Sequence, residues 1–463
     1  MTEPADLPAT ALLAAYRDGS LSPVEVARSV IARIEAWEPG LGATYLFRPE
    51  PALAAAAESE ARWRRGEARA LDGVPVTIKE NIATAGDPMP LGTAGREPPI
   101  TPADAPAAAR MREAGTVLVA KTTMPDYGML SSGLSSFHRL ARNPWDLSKT
   151  PGGSSAGAGG AAAAGFGPLH LGTDIGGSVR LPGTWSGVVA LKPSFGRVPV
   201  DPPYWGRAVG PMTRTVADAA LMMRELAKAD PRDGMSLPPS ELDYSAPPLA
   251  IRGLRIGYLP DAGVGLPVDP EVAAAVAKAA RLFEAEGAIV ETIPPFLTRA
   301  MLDGLDVFWR QRSFADIDAL PPEGKARVLS YIRAWVEPAR HYDGLTVYRG
   351  LSQLHVIRDA TLAATRDYDF VISPVASGTA FPAELGTPNH EPERPFEHIA
   401  FTVPYNFSEQ PAISVPAAMS PAGLPIGLQI AGRRFDDAGV LRLAAAFEAL
   451  RDPLPAWPVP PQA

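Results

Sequence analysis

Three short stretches of this 463-residue sequence place reactive side chains where the surrounding backbone can change their chemistry. Lys79 ends the apolar run at 74–78, Ser154 and Ser155 lie in PGGSSAGAGG, and Ser178 follows two glycines in GTDIGGSVR. A lysine whose amine stays buried has a lowered pKa and can act as a base near neutral pH. Consecutive glycines leave backbone N–H groups unshielded, so they can hold the oxyanion formed when a neighbouring serine attacks a carbonyl. These residue types are therefore suited to acyl transfer.

Each stretch also has a purely structural interpretation. A lysine at the end of a strand usually extends its amine to water, a serine at a helix start caps the helix, and paired glycines form turns. Ser155 additionally fits the G-x-S-x-G nucleophile elbow at 153–157. That motif needs an apolar strand directly before it, whereas residues 145–151 are polar and typical of a turn.

The composition excludes several other reactive centres. The sequence has no cysteine, which removes disulfides, thiolate zinc sites, iron–sulfur clusters and a cysteine nucleophile. Its six histidines are scattered, and the sequence lacks the P-loop, a complete G-x-G-x-x-G and H-E-x-x-H. We therefore expect neither a metal nor another cofactor. The net charge of −8 argues against nucleic acid or an anionic membrane surface as a partner.

Two observations bear on location. The start of the sequence has no basic n-region, so we do not expect a signal peptide. The longest uncharged stretch, between Lys149 and Asp174, consists mainly of Gly, Ala and Ser and does not resemble a membrane span. We therefore expect a cytoplasmic protein without membrane association.

The apolar pattern predicts alternating helices and strands around the three stretches. Helices are predicted at 23–37, 50–64, 103–114, 215–227, 270–286 and 437–449. Buried strands are predicted within 72–81 and at 116–121, 254–259, 288–293, 369–375, 412–417 and 426–432. Residues 230–249 have the composition of a surface linker, and 297–366 are expected to be mainly helical. This alternation favours an α/β sheet.

Taken together, the motifs resemble those of the amidase signature enzymes. The segment PGGSSAGAGGAAAAGFGPLHLGTDIGGSVRLPGTWSGVVALKP at 151–193 is similar to the defining segment of that family. DGVPVTIKEN, GPMTRTVADAALMM and PYNFSEQPAISVPAAMSPAGLPIGLQIAGRRFDD resemble further family blocks, in family order. The resemblance covers roughly residues 5–450 and is weakest between about 295 and 395.

The resemblance implies a Ser–cis-Ser–Lys triad. On it, Lys79 matches the base, Ser154 the bridging serine after a cis peptide bond, and Ser178 the nucleophile. The family's oxyanion hole falls on Ile175, Gly176, Gly177 and the Ser178 N–H group. Positions that support these loops match Ser155, Asp174 and Arg180, and a substrate-contacting position matches Gly128.

The resemblance also implies a fold and an activity. The expected fold is a single large α/β domain over 1–463, with a mixed twisted β-sheet covered on both sides by α-helices. Its core would lie at about 60–230 and 400–450, with N-terminal helices at 5–60 and a variable substrate-pocket region at about 295–395. The expected activity is hydrolysis of an amide, anilide or carbamate, and of some esters, through an acyl-enzyme without a cofactor. A homodimer is compatible with the resemblance.

Two alternatives to this activity stay open. The first is the glutamine-hydrolysing subunit of a tRNA-dependent amidotransferase, although such chains carry a passage ending in S-L-D-Q-x-G-P where this one reads PVDPPYWGRAVGPMTRT. The second is a non-catalytic binding protein, against which the three retained triad residues count. Substrate identity is not readable from the sequence. A set of aromatic residues suggests an apolar pocket lining or, equally, ordinary core: Tyr204, Trp205, Phe308, Trp309, Trp335 and Tyr348.

Overall fold

A single sheet runs through the computed structural model, which describes residues 3–461. Within that part of the chain the sheet has eleven strands in the order β1-β3-β2-β4-β6-β5-β10-β11-β9-β7-β8. The strands are β1 (Thr44–Tyr45), β2 (Pro75–Lys79), β3 (Val117–Thr122), β4 (Leu169–Asp174), β5 (Val189–Lys192), β6 (Ala208–Thr213), β7 (Arg255–Tyr258), β8 (Ile289–Thr292), β9 (Phe370–Pro374), β10 (Ala412–Met419) and β11 (Pro425–Gly432).

Most of the helices begin where the sequence offers prolines or capping residues. They are α1 (Ala9–Asp18), α2 (Pro23–Leu41), α3 (Pro49–Arg65), α4 (Pro106–Glu113), α5 (Ala156–Ala164), α6 (Arg180–Ser186), α7 (Val216–Leu226), α8 (Pro270–Ala285), α9 (Arg299–Asp318), α10 (Pro322–Arg327), α11 (Ser330–Val336), α12 (Gly344–Thr365), α13 (Val403–Phe407) and α14 (Asp437–Leu450). Ser22 caps α2 in a capping box, since its hydroxyl accepts from the Glu25 N–H at 3.2 Å while the Glu25 carboxylate accepts from the Ser22 N–H at 2.8 Å.

The strand directions bring the ends of two central strands together. β2 is parallel to both β3 and β4, with Ile78 in register with Leu171. The carboxyl ends of parallel strands meet at one edge of a sheet. Lys79 and Asp174, the last residues of β2 and β4, therefore lie at the same edge. The predicted strand–helix–strand unit at 254–293 is present as β7, α8 and β8, and its two strands are parallel.

Side chains of β2 alternate between two apolar layers. Val76 and Ile78 point into the larger core, which is formed with α1 to α4, α7, α8 and α14. A second core, formed with α6, α9, α11 and α12, lies on the opposite side of the sheet. Thr77 and Lys79 occupy the alternate positions of β2. The predicted fold is thereby confirmed: one large α/β domain in which helices cover both faces of a mixed sheet.

Four strands were not predicted: β1, β4, β5 and β6. Of these, β4 is central, lying between β2 and β6. It is buried along its whole length and is preceded by glycines, so neither alternation nor a long apolar run marks it. Its His170 makes contacts through both ring nitrogens, to Thr77 Oγ1 at 2.8 Å and to the Gly167 carbonyl at 2.9 Å. Burial lowers the pKa of His170 to about 3, so this histidine is neutral.

No helix in the described part of the chain combines the length and apolar character that crossing a bilayer requires.

Candidate active site

An open cavity of about 730 Å³ lies where the carboxyl ends of β2 and β4 face α9. Ser154 and Ser178 both line it, and so do Ile175, Gly176 and Gly128. The structure therefore gathers residues that are 50 positions apart in the sequence, from 128 to 178, around one space. The remaining walls come from 207, from α9 and α11, and from the segment before α13.

Lys79 lies behind the cavity lining, in contact with Ser154. Its side chain is completely buried. The ammonium nitrogen lies 2.8 Å from Ser154 Oγ, 3.1 Å from Ser155 Oγ and 2.9 Å from Thr173 Oγ1. All three partners are neutral hydroxyls, and no carboxylate lies within salt-bridge distance in the described chain. The amine is thus held in place without a counter-ion.

The absence of a contacting counter-ion decides the charge state of Lys79. Burial, reinforced by the positive charge of Arg207, lowers the pKa of Lys79 to about 7, while Asp174 and Glu80 act in the opposite direction. A substantial fraction of the amine is therefore unprotonated near neutral pH. The structural interpretation, in which the amine of Lys79 extends to water, is therefore wrong, since this amine does not reach solvent.

Ser154 stands at the entrance to α5, following a cis peptide bond between Gly153 and Ser154. Gly128 lies beside it: a Cβ atom on that glycine would lie 3.2 Å from Ser154 Oγ. The φ of Gly128 is +71°, a conformation that also favours glycine. Gly128 therefore leaves room in front of the Ser154 hydroxyl.

The loop at 175–179 wraps around the carboxylate of Asp174. That carboxylate accepts from the N–H groups of Gly177 and Val179 at 2.9 and 3.1 Å and from the Arg180 guanidinium at 2.9 and 3.0 Å. Burial by itself raises the pKa of Asp174, but the charge and hydrogen bonds of Arg180 and a hydrogen bond from Asn406 outweigh it and hold the pKa below its usual range.

Arg180 extends this network to residues more than 200 positions away in the sequence. Its guanidinium donates to the Thr402 carbonyl at 2.8 Å, to Gln429 Oε1 at 2.9 Å and to Asn406 Oδ1 at 2.7 Å. Thr402 in turn donates its hydroxyl to the Gly176 carbonyl at 2.6 Å. The conformation of the glycine loop is thus fixed from both sides by hydrogen bonds.

The network leaves some backbone donors of this loop available. The Gly177 N–H group is occupied by Asp174, which differs from the expectation that all four N–H groups face an oxyanion. Within residues 3–461, the N–H groups of Ile175, Gly176 and Ser178 donate to no other residue. Glycine is favoured at position 177 by the backbone: its φ is +122°, and a Cβ there would lie 2.6 Å from Thr402 Oγ1.

Ser155, the alternative nucleophile, does not line the cavity. It is completely buried, its hydroxyl contacts Lys79, and it exchanges hydrogen bonds with the backbone of Thr173 at 3.2 Å. Its N–H group donates to the Ser178 carbonyl at 3.2 Å. Ser155 therefore connects the α5 start to the Ser178 loop, and β4 rather than an elbow strand adjoins it.

The predicted aromatic residues divide between lining and core. Trp309 and Trp335 line the cavity, and a Cβ on Gly176 would lie 3.0 Å from the Trp309 ring. Tyr348 is 66% exposed on the surface, so it belongs neither to the lining nor to the core. The remaining three are partly buried and do not line the cavity: Tyr204, Trp205 and Phe308.

Sequence reasoning missed several residues around the site, and four of them matter for its chemistry and charge. Thr173 and Asn81 form part of the Lys79 network, since Asn81 Nδ2 donates to Thr173 Oγ1 at 3.2 Å. Arg207 and Arg312 line the cavity. Arg207 lies in the passage where the sequence departs from the amidotransferase pattern, which was the one available signal; nothing marked Arg312. Over the described residues, no group of three or more His, Cys, Asp or Glu side chains is arranged to hold a metal.

Comparison with known proteins agrees with this geometry. The chain matches the family model described as Amidase over residues 25–441. It is 36% identical to a glutamyl-tRNA(Gln) amidotransferase subunit from Chloroflexus aggregans, over 98% of this chain and 98% of that protein. It is also 36% identical to the acylamidase of Rhodococcus erythropolis, over 96% and 95% of the two chains.

Solved structures give the same result. A bacterial aryl acylamidase described as an amidase signature (AS) enzyme superposes with a TM-score of 0.88 at 30% identity and covers 96% of both chains. A 6-aminohexanoate cyclic dimer hydrolase superposes with a TM-score of 0.85 at 27% identity, over 96% of this chain and 97% of the other. The chain therefore belongs to the amidase signature family, whose members hydrolyse the carbon–nitrogen bonds of amides.

Proposed function

We propose that this protein hydrolyses the C–N bond of small amides, anilides or carbamates, and of some esters, through an acyl-enzyme on Ser178. In this proposal Ser154 relays protons and Lys79 is the base. The observation that carries it is the contact of 2.8 Å between the buried amine of Lys79 and Ser154 Oγ, in the wall of a cavity that Ser178 also lines. The pKa of about 7 supplies the neutral amine that a base requires.

The first half-reaction forms the acyl-enzyme. Ser178 Oγ attacks the substrate carbonyl carbon, its proton passes to Ser154 Oγ, and the Ser154 proton passes to Lys79. The negative charge on the carbonyl oxygen is held by the N–H groups of Ile175, Gly176 and Ser178, each worth about 3 kcal/mol in comparable oxyanion holes. Lys79 then returns its proton through Ser154 to the leaving nitrogen, and the C–N bond breaks.

The second half-reaction reverses the relay. Water replaces the amine, loses a proton through Ser154 to Lys79, and attacks the acyl carbon of the Ser178 ester. Collapse of the intermediate returns the proton to Ser178 Oγ and releases the acid. A single lysine serves both halves because its pKa lies near the working pH, so it can both take and give a proton.

The supporting residues act by holding geometry. Asp174 and Arg180 fix the loop that carries the oxyanion donors, and Ser155 joins this loop to the start of α5. In the proposal Gly128 keeps the space in front of Ser154 open for substrate. The region at about 295–395 would set specificity, which Trp309, Arg312 and Trp335 support because they line the cavity from α9 and α11.

A glutamine-hydrolysing component of an amidotransferase is the second candidate. The specific observation in its favour is 36% identity to a protein of that description, the same value as to the acylamidase. The two candidates differ in whether the chain needs partners. The purified chain alone should hydrolyse simple anilides if it is a free-standing amidase, whereas an amidotransferase component should release ammonia from glutamine, and efficiently only with its partner chains.

The test is a hydrolysis panel combined with active-site labelling. Anilides, primary amides, esters and carbamates are compared by released amine or alcohol, and an alkylphosphonofluoridate labels the nucleophile. We expect wild-type protein and the exposed-serine control Ser245→Ala to be labelled and active, and Ser178→Ala to show neither property. Wild-type turnover by Ser178→Ala would disprove the assignment.

Two further expectations belong to this proposal. We propose action in the cytoplasm, which the sequence analysis led us to expect, and a homodimer is compatible with the family resemblance. Light scattering after gel filtration of the full chain decides between a monomer and a dimer.

A further inference from the structure

Two arginines face the active-site cavity without an acidic partner. Arg207 lies directly before β6, and Arg312 lies on α9, one turn after Trp309. Both line the cavity together with Ser154 and Ser178. Within residues 3–461, no carboxylate oxygen lies within 4.0 Å of either guanidinium, and neither guanidinium donates a hydrogen bond.

This arrangement differs from that of the more deeply buried arginines in the molecule. Arginines whose side chains are less than a tenth exposed and are paired with a carboxylate include Arg33, Arg180, Arg197, Arg214 and Arg310. Arg207 and Arg312 are half-buried, and a guanidinium that is partly withdrawn from water gains most from a charged partner. Here the partner is missing at a place where a ligand can enter.

The surroundings hold the two guanidinium groups in place. Both contact the ring of Tyr204, whose centroid is 4.8 Å from the Arg312 guanidinium and 5.6 Å from that of Arg207. Burial, together with the charge of Arg312, lowers the pKa of Arg207 to about 10, so it stays protonated at neutral pH. The charge of Asp316 interacts with both guanidinium groups, although its carboxylate lies beyond salt-bridge distance of each.

We propose that Arg207 and Arg312 form an anion subsite and that the preferred substrate is an amide bearing a carboxylate. This inference rests on the proposed amide hydrolysis and adds the substrate class. A planar carboxylate can accept paired hydrogen bonds from a guanidinium, and two guanidinium groups that line one cavity offer such donors to it. The substrate carboxylate would offset the positive charge of the two arginines, for which the protein provides no contacting acidic group.

The test uses substrate pairs that differ only in the carboxylate. Succinanilic acid is compared with 4-methylpentananilide, in which an isopropyl group replaces the carboxylate on the acyl side. 4-Acetamidobenzoate is compared with 4′-isopropylacetanilide, which makes the same exchange on the amine side. We expect kcat/KM of the wild-type enzyme to favour the charged member of at least one pair, and that pair identifies the side on which the subsite lies.

Substitutions then assign the preference to the two arginines. Because hydrogen bonds to charged groups are the strong ones, Arg207→Gln and Arg312→Gln should each reduce the charged-to-neutral ratio of kcat/KM by about 10- to 100-fold. Arg207→Lys and Arg312→Lys keep the charge and should retain part of the preference. Arg349→Gln removes an exposed arginine of α12 that does not line the cavity, so it should keep the wild-type ratio.

Failure of this inference is distinguishable from failure of the proposed function. Hydrolysis of the neutral anilides with no preference for the charged ones, or a preference that survives the double Gln variant, overturns the anion subsite alone. If no anilide is hydrolysed, calorimetric titration of Ser178→Ala with succinanilic acid and 4-acetamidobenzoate still decides. Binding of either anion that is lost in Ser178→Ala carrying both Gln substitutions supports the subsite, and absence of binding overturns it.

Discussion

The two sides of the active-site cavity treat buried charge in opposite ways. On the loop side, the Asp174–Arg180 pair is fully buried, in contact at 2.9 Å, and surrounded by further hydrogen bonds. On the other side, which we define by Arg207 and Arg312, the two guanidinium groups face the same cavity without an acidic partner. Charges that are paired inside the protein fix the backbone, whereas charges left unpaired at a cavity remain available to a ligand. The first side is suited to chemistry and the second to selection of substrate.

The largest expected effect concerns the buried lysine between these two sides. Lys79 and Lys192 are both buried, and burial lowers the pKa of each to about 7. Only Lys79 contacts a cavity-lining serine, since Lys192 donates to the Pro193 carbonyl instead. Because general acid–base catalysis contributes about 10²- to 10⁴-fold, Lys79→Met should lower kcat by that factor.

Lys192→Met is the matched control for this prediction. It removes an equally buried amine and should keep kcat within a few-fold of wild type. The measurement is single-substrate turnover of an anilide, with thermal unfolding to show that both variants are folded. Equal losses in the two variants would show that burial, rather than the contact with Ser154, determines the effect.

The next effect concerns the paired side. Asp174→Ala leaves the Arg180 guanidinium buried without its partner, which typically costs about 3–5 kcal/mol of unfolding free energy. Urea denaturation measures this loss, and the surface pair Arg340–Glu337 supplies the control, since Glu337→Ala should change the unfolding free energy by about 0–1 kcal/mol. An unchanged urea midpoint for Asp174→Ala would show that the pair is not needed to hold the loop.

The same carboxylate predicts a pH dependence of stability. The pKa of Asp174 is lower in the folded than in the unfolded state. Its stabilising contribution is therefore complete above the unfolded value of about 3.9 and is lost as pH falls below it. Acid unfolding curves should show this loss in the wild type and not in Asp174→Asn, which cannot titrate.

A further prediction tests how finely the paired side is positioned. Gly177→Ala places a Cβ 2.6 Å from Thr402 Oγ1 at a φ of +122°, so the loop must move. Because small displacements of catalytic groups cost about 10²-fold, kcat should fall by roughly that factor. Gly253→Ala is the control: its φ of +82° is also unfavourable, but nothing lies within 4 Å of the added Cβ. It should lose stability and keep kcat.

The difference between the two sides also explains what the sequence could predict. The paired side is built from contiguous motifs, in which Lys79 follows an apolar strand and Ser154 and Ser178 adjoin glycines. Local patterns of this kind are readable without a structure. The unpaired side joins Arg207 to Arg312 across 105 positions through tertiary packing, which no local pattern records.

The fold divides in the same way. Helices with capping residues and regular spacing, such as α2 and α7, were predicted close to their observed bounds. β4 was not, because a short strand buried on both faces and rich in neither β-branched nor alternating residues carries no period. Thr173, a direct contact of Lys79, lies on that strand and was missed for the same reason.

The smallest expected effect links the two sides. Since only unprotonated Lys79 accepts a proton, kcat/KM should rise with pH through about 7, the pKa of this amine. The positive charge of Arg207 is one cause of that low pKa. Arg207→Gln removes the charge, so the pKa of Lys79 rises and the acidic limb of the profile moves to higher pH. Arg312→Gln should leave the limb in place, because Arg312 is not among the charges that act on Lys79.

A bound anion should shift the pKa of Lys79 in the same direction as Arg207→Gln does. A substrate carboxylate at Arg207 offsets the guanidinium charge, so Lys79 in the enzyme–substrate complex binds its proton more tightly than in the free enzyme. The kcat profile reports the complex and the kcat/KM profile reports the free enzyme. For a carboxylate-bearing anilide the acidic limb of kcat should therefore lie at higher pH than that of kcat/KM, and for its neutral partner the two limbs should lie closer together. Coinciding limbs for the charged substrate would mean that its carboxylate does not reach Arg207, which would leave Arg207 as a tuning charge for Lys79 alone.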